Sequence, residues 1–483
     1  MSALVSNADD VSRLVNEGPR HGSHARIVVL LALGGIFLDA YDLTTLSYGI
    51  GDVQRHFHLS DAGTGLVAAA LNAGTILGAL IGGWLTDRFG RYAIFMADMA
   101  FFVVAALAAG FAPSAPILIA ARLAMGFGVG MDLPVAMAFL AEFSRLDGPG
   151  SKAQRAAAWC PTWYAASSVC FTLIFALYFA LPAQHVDWLW RASLAFGAVP
   201  ALVIIAVRSR FMAESPVWVA KRGQLARAVA ILRDSYGIDA VLDPHAQVTP
   251  GRKPRPSYLV LLKPPYLRRF VLINGFGAAS AFAYSAIAFG LPGILSGVLH
   301  QGRLGVLAVS LVMNLAFAFT GGLLGVRLTR SLPSLWLTVA GYAVQLGSAV
   351  TLALIGIPHD AAQTAGALAA LAAFLFAQGF GPGCQCMVYP TLSYPTMLRG
   401  TGVGLSRAIS SLATTVSLML LPGLNHHLGT QAFWVVACAP ALGIAILLAT
   451  RWEVFGYDAD ADPALQHTAD RAFWRPGVAQ AAE

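Results

Sequence analysis

Charge is what this chain has least of: 11% of its 483 residues are Asp, Glu, Lys or Arg, against about 25% in a soluble domain. So few charges beside 57% hydrophobic residues exclude a water-facing surface, and a membrane protein is expected. Cysteine is scarce too. Cys160, Cys170, Cys384, Cys386 and Cys438 all fall in apolar stretches, and the Cys384/Cys386 spacing lacks the partner set of a zinc site, so they read as small packing residues. No Gly-rich loop ending in Lys-Ser/Thr is present, which argues against an ATP-driven pump. No His-Glu-x-x-His set, and no nucleophile with an oriented base, argues for an enzyme. No metal and no cofactor is expected. Met1 to Arg26 is polar and mixed, without the short apolar core and small-residue cleavage site of a removable leader.

What is present is a series of twelve apolar stretches, at 27–50, 64–85, 93–112, 115–141, 156–181 and 189–208, then 268–297, 303–326, 334–356, 364–389, 400–424 and 430–450. About 20 apolar residues span a hydrocarbon core of about 30 Å as helix, and irregular backbone cannot face lipid unpaired. The prediction is an all-α membrane protein with twelve transmembrane helices in two pseudo-symmetric six-helix bundles. Its segments are an N-terminal tail (1–26), a first bundle (27–208), a central loop (209–267), a second bundle (268–450) and a C-terminal tail (451–483). From Asp458 on, the Ala-, Asp- and Pro-rich tail reads as disordered.

Lys and Arg concentrate in the tails, the central loop and the even-numbered connections, among them Arg88, Arg91, Arg145, Lys152, Arg327, Arg330 and Arg399. Cytoplasmic loops hold such an excess, so both termini are expected inside, in the cytoplasmic membrane of a cell. The net charge of +7 follows from that topology, and no nucleic-acid partner is expected. In the central loop an interfacial helix is predicted near 215–236, capped by Ser215, with Pro216 in its first turn and Gly237 at its end. Trp218, Leu225, Val229 and Leu232 recur at helical spacing, away from most of Lys221, Arg222, Arg227 and Arg233. That pattern suits either the membrane interface or a brace against the bundle, and the brace is the preferred reading.

The halves echo each other. Gly82-Gly83-Trp84-Leu85-Thr86-Asp87-Arg88-Phe89-Gly90-Arg91 follows the second span, and Gly321-Gly322-Leu323-Leu324-Gly325-Val326-Arg327-Leu328-Thr329-Arg330 follows the eighth. Gly126-Phe127-Gly128-Val129-Gly130 in the fourth span is matched by Gly379-Phe380-Gly381-Pro382-Gly383 in the tenth. Two such coincidences argue for duplication, and repeated halves commonly place a substrate site between them.

At these residues the chain resembles the major facilitator superfamily, over about 27 to 450. The loop from Gly82 to Arg91 is similar to that superfamily's signature between helices two and three. Arg122, Gly126, Gly128, Gly130, Asp132, Pro134 and Glu142-Phe143 resemble the fourth helix of its metabolite-proton symporter and sugar-porter branches, as do Trp190-Arg191 and Glu214-Ser215-Pro216-Val217-Trp218. Asp39-Ala40-Tyr41-Asp42 resembles the Asp-Gly-Phe-Asp motif of aromatic-acid proton symporters. There are departures: the second-half loop has no counterpart of Asp87, Ser393 stands where relatives usually have Glu, and the stretch Asn274 to Leu295 lacks the paired Gln of typical sugar porters. The last counts against a hexose.

Asp39, Asp42, Asp98, Arg122, Asp132 and Arg407 lie inside spans, where each costs about 2.5–3.5 kcal/mol at mid-membrane. At 1.5 Å per residue Asp39, Asp42 and Arg122 fall at one depth. Asp39 and Asp42, three apart, share a helix face, so Arg122 is expected between two carboxylates, one of them free to carry a proton. The bland alternative is a permanent salt bridge that only fixes packing. Near the terminal face, Gly83, Asp87, Arg88, Gly90, Arg91, Asp98, Asp132, Glu142 and Arg145 are expected to form a gate. Tyr41, Trp163, Tyr164, Tyr284, Gln378, Gln385, Arg122 and Arg407 are the substrate-contact candidates. The expected function is secondary, proton-coupled symport of a small organic anion by a functional monomer. A sugar or neutral-metabolite carrier, or an exporter, is the alternative, with a transporter-like receptor behind it.

Overall fold

The computed structural model describes residues 3–17, 24–142, 151–180, 188–244, 246, 258–297, 299–459 and 462. The chain opens with β1 (Ala3–Val5) and α1 (Ala8–Glu17), then enters the long helices α2 (His24–Phe57), α3 (Asp61–Phe89), α4 (Arg91–Gly110) and α5 (Ala115–Glu142). The broken pairs α6 (Ser151–Ala157) with α7 (Trp159–Ala180), and α8 (Leu189–Phe196) with α9 (Ala198–Phe211), follow. The insert holds α10 (Pro216–Lys221), α11 (Leu225–Tyr236), β2 (Ala240–Leu242) and α12 (Tyr258–Leu261). The second half contains α13 (Leu267–Tyr284), α14 (Leu291–Gly297), α15 (Arg303–Val312), α16 (Thr320–Thr329), α17 (Ser334–Ile355), α18 (Ala361–Gln378), α19 (Cys384–Ser393), α20 (Thr396–Leu428) and α21 (Ala432–Thr450).

Eleven segments among the described residues are long and apolar enough to cross a membrane, and the first expected span lies in the 34-residue α2. Leu77, Val104, Phe179, Val203, Leu354 and Leu442 remain exposed on outer helix faces. Such apolar exposure suits lipid rather than water. π-Helical turns at Ser285–Phe289, Met313–Phe319 and Gly379–Gly383 interrupt the second-half helices. Such turns are frequent at functional sites, and hydropathy carries no sign of them.

The repeat is realised as matched helix crossings. A Cβ on Gly78 of α3 would lie 2.0 Å from the Phe127 carbonyl of α5, and one on Gly321 of α16 would lie 2.3 Å from the Phe376 carbonyl of α18. Only glycine lets these backbones meet, and each half uses it between its second and fourth spans.

The tail and the insert form one small unit on the face that bears the termini. β1 pairs in parallel with β2, Ala3 opposite Ala240, and the Ser6 hydroxyl donates to Asp243 at 2.7 Å. The single insert helix expected near 215–236 is two helices, because Gly223 takes a left-handed φ of 78° between them. Ser215 caps α10 by accepting from the Trp218 N–H, and Gly237 at φ 63° ends α11, as predicted. Val217, Trp218, Leu225, Ala228 and Leu232 are buried against protein, which suits a brace rather than a helix lying on lipid. The tail beyond the last span is likewise anchored at its start. Asp458 pairs with Lys152 at 2.9 Å, and Asp462 accepts from Tyr457 at 2.7 Å and pairs with Arg269 at 3.4 Å. Burial pushes the Tyr457 phenol above its ordinary range, so it stays protonated as that donor at physiological pH. The expected disorder from Asp458 therefore fails for Asp458 and Asp462, and the stretch 463–483 lies outside the described residues.

Candidate functional site

Three cavities run in file between the halves. The innermost is lined by Leu43, Asn72, Trp159, Trp163, Tyr164, Ser280, Tyr284, Gln378, Arg407, Ser410 and Thr414, among others. The next shares Leu43 and Phe289 with it and adds Ser47, Arg122 and Gly293. The outermost shares Ser47 and Gly293 with the second and adds Asp52, Arg55, Gln301 and Arg303. They lead from the centre to the face opposite the termini.

The other direction is shut. Gly83 of α3 sits so close to α20 that a Cβ would meet the Gly400 carbonyl at 2.6 Å and the Gly404 Cα at 3.2 Å. The Arg91 guanidinium reaches the Thr396 carbonyl at 3.3 Å, and the Trp159 indole N–H donates to the Cys384 carbonyl at 3.1 Å. All three contacts join the halves. At the far end, Arg303 of α15 meets Asp52 of α2 at 2.8 Å, Arg55 also pairs with Asp52, and the Ser47 hydroxyl donates to the Phe289 carbonyl at 2.7 Å.

Of the substrate-contact candidates, Trp163, Tyr164, Tyr284, Gln378 and Arg407 line the inner cavity. The Trp163 indole donates to the Tyr284 hydroxyl at 2.9 Å, linking α7 to α13. Gln378 accepts from Gln345 at 2.6 Å and donates to Ser280 at 3.0 Å, which fixes its amide at the wall. The Arg407 guanidinium lies 6.0 Å from the Trp163 ring, with its Nε and Nη2 lacking hydrogen-bond partners. Two candidates are misplaced. Tyr41 turns into the first half, its hydroxyl donating to the Ser193 carbonyl at 2.8 Å, because residues adjacent to Asp42 point about 100° away from it around the helix. Gln385 is fully buried and donates to the Thr329 hydroxyl at 2.8 Å, away from the cavity.

Asp42 and Arg122 meet, at 3.2 Å and essentially without exposure, joining α2 to α5. Arg122 also lines the second cavity. The arginine expected between two carboxylates has one only. Neither oxygen of fully buried Asp39 has a hydrogen-bond partner. Three residues along α2 place it about 4.5 Å nearer the terminal face, below the guanidinium's reach. Its charged neighbours are Asp132, Arg407, Asp42 and Arg208.

The expected gate divides into two groups. Gly83 and Arg91 hold the terminal face as described, Gly90 joins α3 to α4 with a φ of 106°, and Arg88 lies over the Trp84 ring at 4.8 Å. Asp98 and Asp132 do not join them. Both turn inward to Arg208, Asp98 at 3.5 Å and Asp132 at 3.1 Å, and all three side chains are fully buried. The side chains of Asp87 and Glu142, and all of Arg145, lie outside the described residues.

Sequence reasoning missed three residues. Arg208, the last residue of the sixth expected span, was given no role, yet its guanidinium turns back along α9 and donates to the Phe95 and Leu31 carbonyls at 2.8 and 3.1 Å. Glu214 accepts the Arg91 and Tyr92 backbone N–H groups at 2.8 and 3.2 Å, capping α4, while Glu453 accepts those of Ser334 and Leu335 at 3.1 and 3.0 Å, capping α17. The signal for the two caps was available. Each is an acid shortly after the last span of its half, opposite the N-terminus of that half's third span.

The family model described as sugar (and other) transporter matches residues 27–458. The inner membrane metabolite transport protein YgcS of Escherichia coli is 29% identical over 418 residues, 86% of this chain and 87% of that protein. The glucose transporter GlcP of Staphylococcus epidermidis is 23% identical over 443 residues, 87% of this chain and 92% of that one. Among solved structures, the proton:xylose symporter XylE bound to 6-bromo-6-deoxy-D-glucose superposes with a TM-score of 0.75 at 17% identity, covering 94% of this chain and 99% of its own. That last likeness is one of fold.

Proposed function

The chain belongs to the sugar (and other) transporter family, a multi-pass membrane transporter and not an enzyme, and on that basis we propose that it carries a small, neutral, hydroxyl-rich metabolite together with protons. It does so by alternating access, as a monomer in the cytoplasmic membrane with both termini inside. The observation that carries the reading is the inner cavity, which lies between the halves, closed toward the termini, with an aromatic wall of Trp163 and Tyr284 facing the amides and hydroxyls of Asn72, Ser280, Gln378, Ser410 and Thr414. Aromatic faces and uncharged hydrogen-bonding groups suit a polyol or sugar. The names of relatives, a glucose transporter and a xylose symporter among them, support the same class. Coupling is assigned to Asp42, whose release from Arg122 on protonation would free the second cavity's wall to move.

This displaces the organic anion expected from Arg122, Arg407 and the missing paired Gln. Arg122 is paired with Asp42 in this conformation, so it does not stand as a free cation for a carboxylate here. The anion stays as the second reading on one observation, the partner-poor guanidinium of Arg407 at the cavity wall. Counterflow in proteoliposomes with hexoses, polyols, aromatic acids and short carboxylates tests both. Exchange of hexoses or polyols that survives Arg407→Gln is the expected result. Exchange of carboxylates alone, lost in Arg407→Gln, would replace it with the second reading.

A further inference from the structure

The buried acids near Asp39 outnumber the cations that hold them. Arg208 of α9 bonds one oxygen each of Asp98 and Asp132, while Oδ2 of both has no donor. The side chain of Asp132 reaches across to α2: a Cβ on Gly35 would lie 1.7 Å from its Oδ2. Asp39 is one turn further along that face of α2, with neither oxygen partnered. One turn beyond Asp39, Leu43 lines the inner and second cavities. Arg208 thus bonds two fully buried carboxylates, and Asp39 lies within the field of that group.

Other facing groups do not correct the imbalance. Around Asp39 they are Asp42 on its own helix, Asp132 of α5, Arg208 of α9 and Arg407 of α20; around Asp98 they are Asp132 and Arg208. Arg122 of α5 is held by Asp42, and Cys170 of α7 faces Asp42 and Tyr41. Among the described residues Arg407 is the further cation near Asp39, and it stands at the cavity wall. Three ionised carboxylates against Arg208 and Arg407 would leave one negative charge uncompensated in a low dielectric, and a proton on one carboxylate removes it. A metal ion is not the alternative, since no group of three or more ligating side chains among the described residues has the geometry to hold one.

We propose that Asp39, Asp98 and Asp132, gathered at Arg208, form a second proton-binding site, separate from Asp42 and Arg122, that holds a proton in this conformation and exchanges it during the transport cycle. The proposal rests on the proton coupling proposed above and adds a second proton to it. A proton on Asp98 or Asp132 would make that carboxyl a donor to the neighbouring carboxylate. Arg208 then balances the remaining carboxylate of that pair, and Arg407 stands opposite Asp39.

The test uses the full-length protein in lipid nanodiscs and in proteoliposomes. Infrared spectra near neutral pH should show a carboxylic-acid C=O band that persists in Asp42→Asn and is lost or shifted in Asp132→Asn or Asp98→Asn. Each variant is checked for folding by size exclusion, with Asp132→Glu expected to restore the band. In proteoliposomes, accumulation normalised to counterflow should fall about tenfold per pH unit of imposed gradient when one of two protons is lost. A band that disappears in Asp42→Asn alone and is unchanged in the Asp98 and Asp132 variants would overturn the second site while leaving proton coupling intact. A wild-type protein whose accumulation ignores the proton gradient would instead sink the coupling itself.

Discussion

Removing one member of the Asp42–Arg122 pair should cost far more than removing both. The groups lie 3.2 Å apart with side-chain exposures of 2% and 0%. At an effective dielectric of about 20 their attraction is about 5 kcal/mol, and stripping water from two ions offsets most of it. Asp42→Asn leaves a buried guanidinium without its carboxylate, which costs about 3–5 kcal/mol. The double replacement Asp42→Asn/Arg122→Gln removes both charges and should recover much of that loss. Thermal unfolding of the four proteins in one detergent closes a double-mutant cycle. The transport readout is separate. One proton driven by 100 mV and one pH unit supplies about 3.7 kcal/mol in all, a ceiling of about 500-fold accumulation of a neutral solute. Asp42→Asn should lose that proton's share of the accumulation while still exchanging solute in counterflow. Single-variant losses that simply add in the double, or an Asp42→Asn protein that accumulates with the wild-type pH profile, would refute the assignment of coupling to this pair.

Gly83→Val should prise α3 from α20, since backbone atoms of Gly400 and Gly404 occupy the space its side chain needs. Labelling of Ser410→Cys by an impermeant thiol reagent from the terminal face should rise, and unchanged labelling would show that this contact does not close that face. Glu214→Ala and Glu453→Ala each take two acceptors from a helix N-terminus. A loss of about 1–2 kcal/mol apiece is expected in thermal unfolding, and no change in either would mean that water caps the helices equally well. Arg303→Gln removes the cross-half pair with Asp52 from the partly exposed side, leaving Asp52 paired with Arg55. Its effect on stability should stay within about 1 kcal/mol, while labelling of the inner cavity from the opposite face should quicken; slower labelling would argue that the pair props that mouth open.

Much of the architecture could be read from order and composition because lipid leaves the backbone few choices. A stretch of apolar residues must be helical, and its length sets where it ends to within a turn or so. The paired glycine motifs announced helix crossings that the two halves then share. The breaks were harder. Nothing in the hydropathy of 268–297 marks the π turn at Ser285–Phe289, and the polar start of the chain gave no sign that Ala3–Val5 would pair with Ala240–Leu242. Short strands depend on a partner far away in sequence, so local pattern cannot reveal them.

The buried charges divide along the same line. Hydropathy alone required that Asp39, Asp42, Asp98, Arg122 and Asp132 lie within the bilayer, and counting residues put Asp39, Asp42 and Arg122 at one depth. Which acid meets which arginine depends on helix rotation and tilt, to which spacing is blind. Arg122 takes Asp42 and leaves Asp39, while Arg208, sited where a span gives way to a basic loop, turns its side chain back into the bundle to gather Asp98 and Asp132. The sequence by itself determined that acids and arginines would be buried together, because each is too costly to leave in oil alone. Only the packed helices decided the pairing, because a few ångströms of depth and a fraction of a turn separate a bonded carboxylate from one that must find a proton.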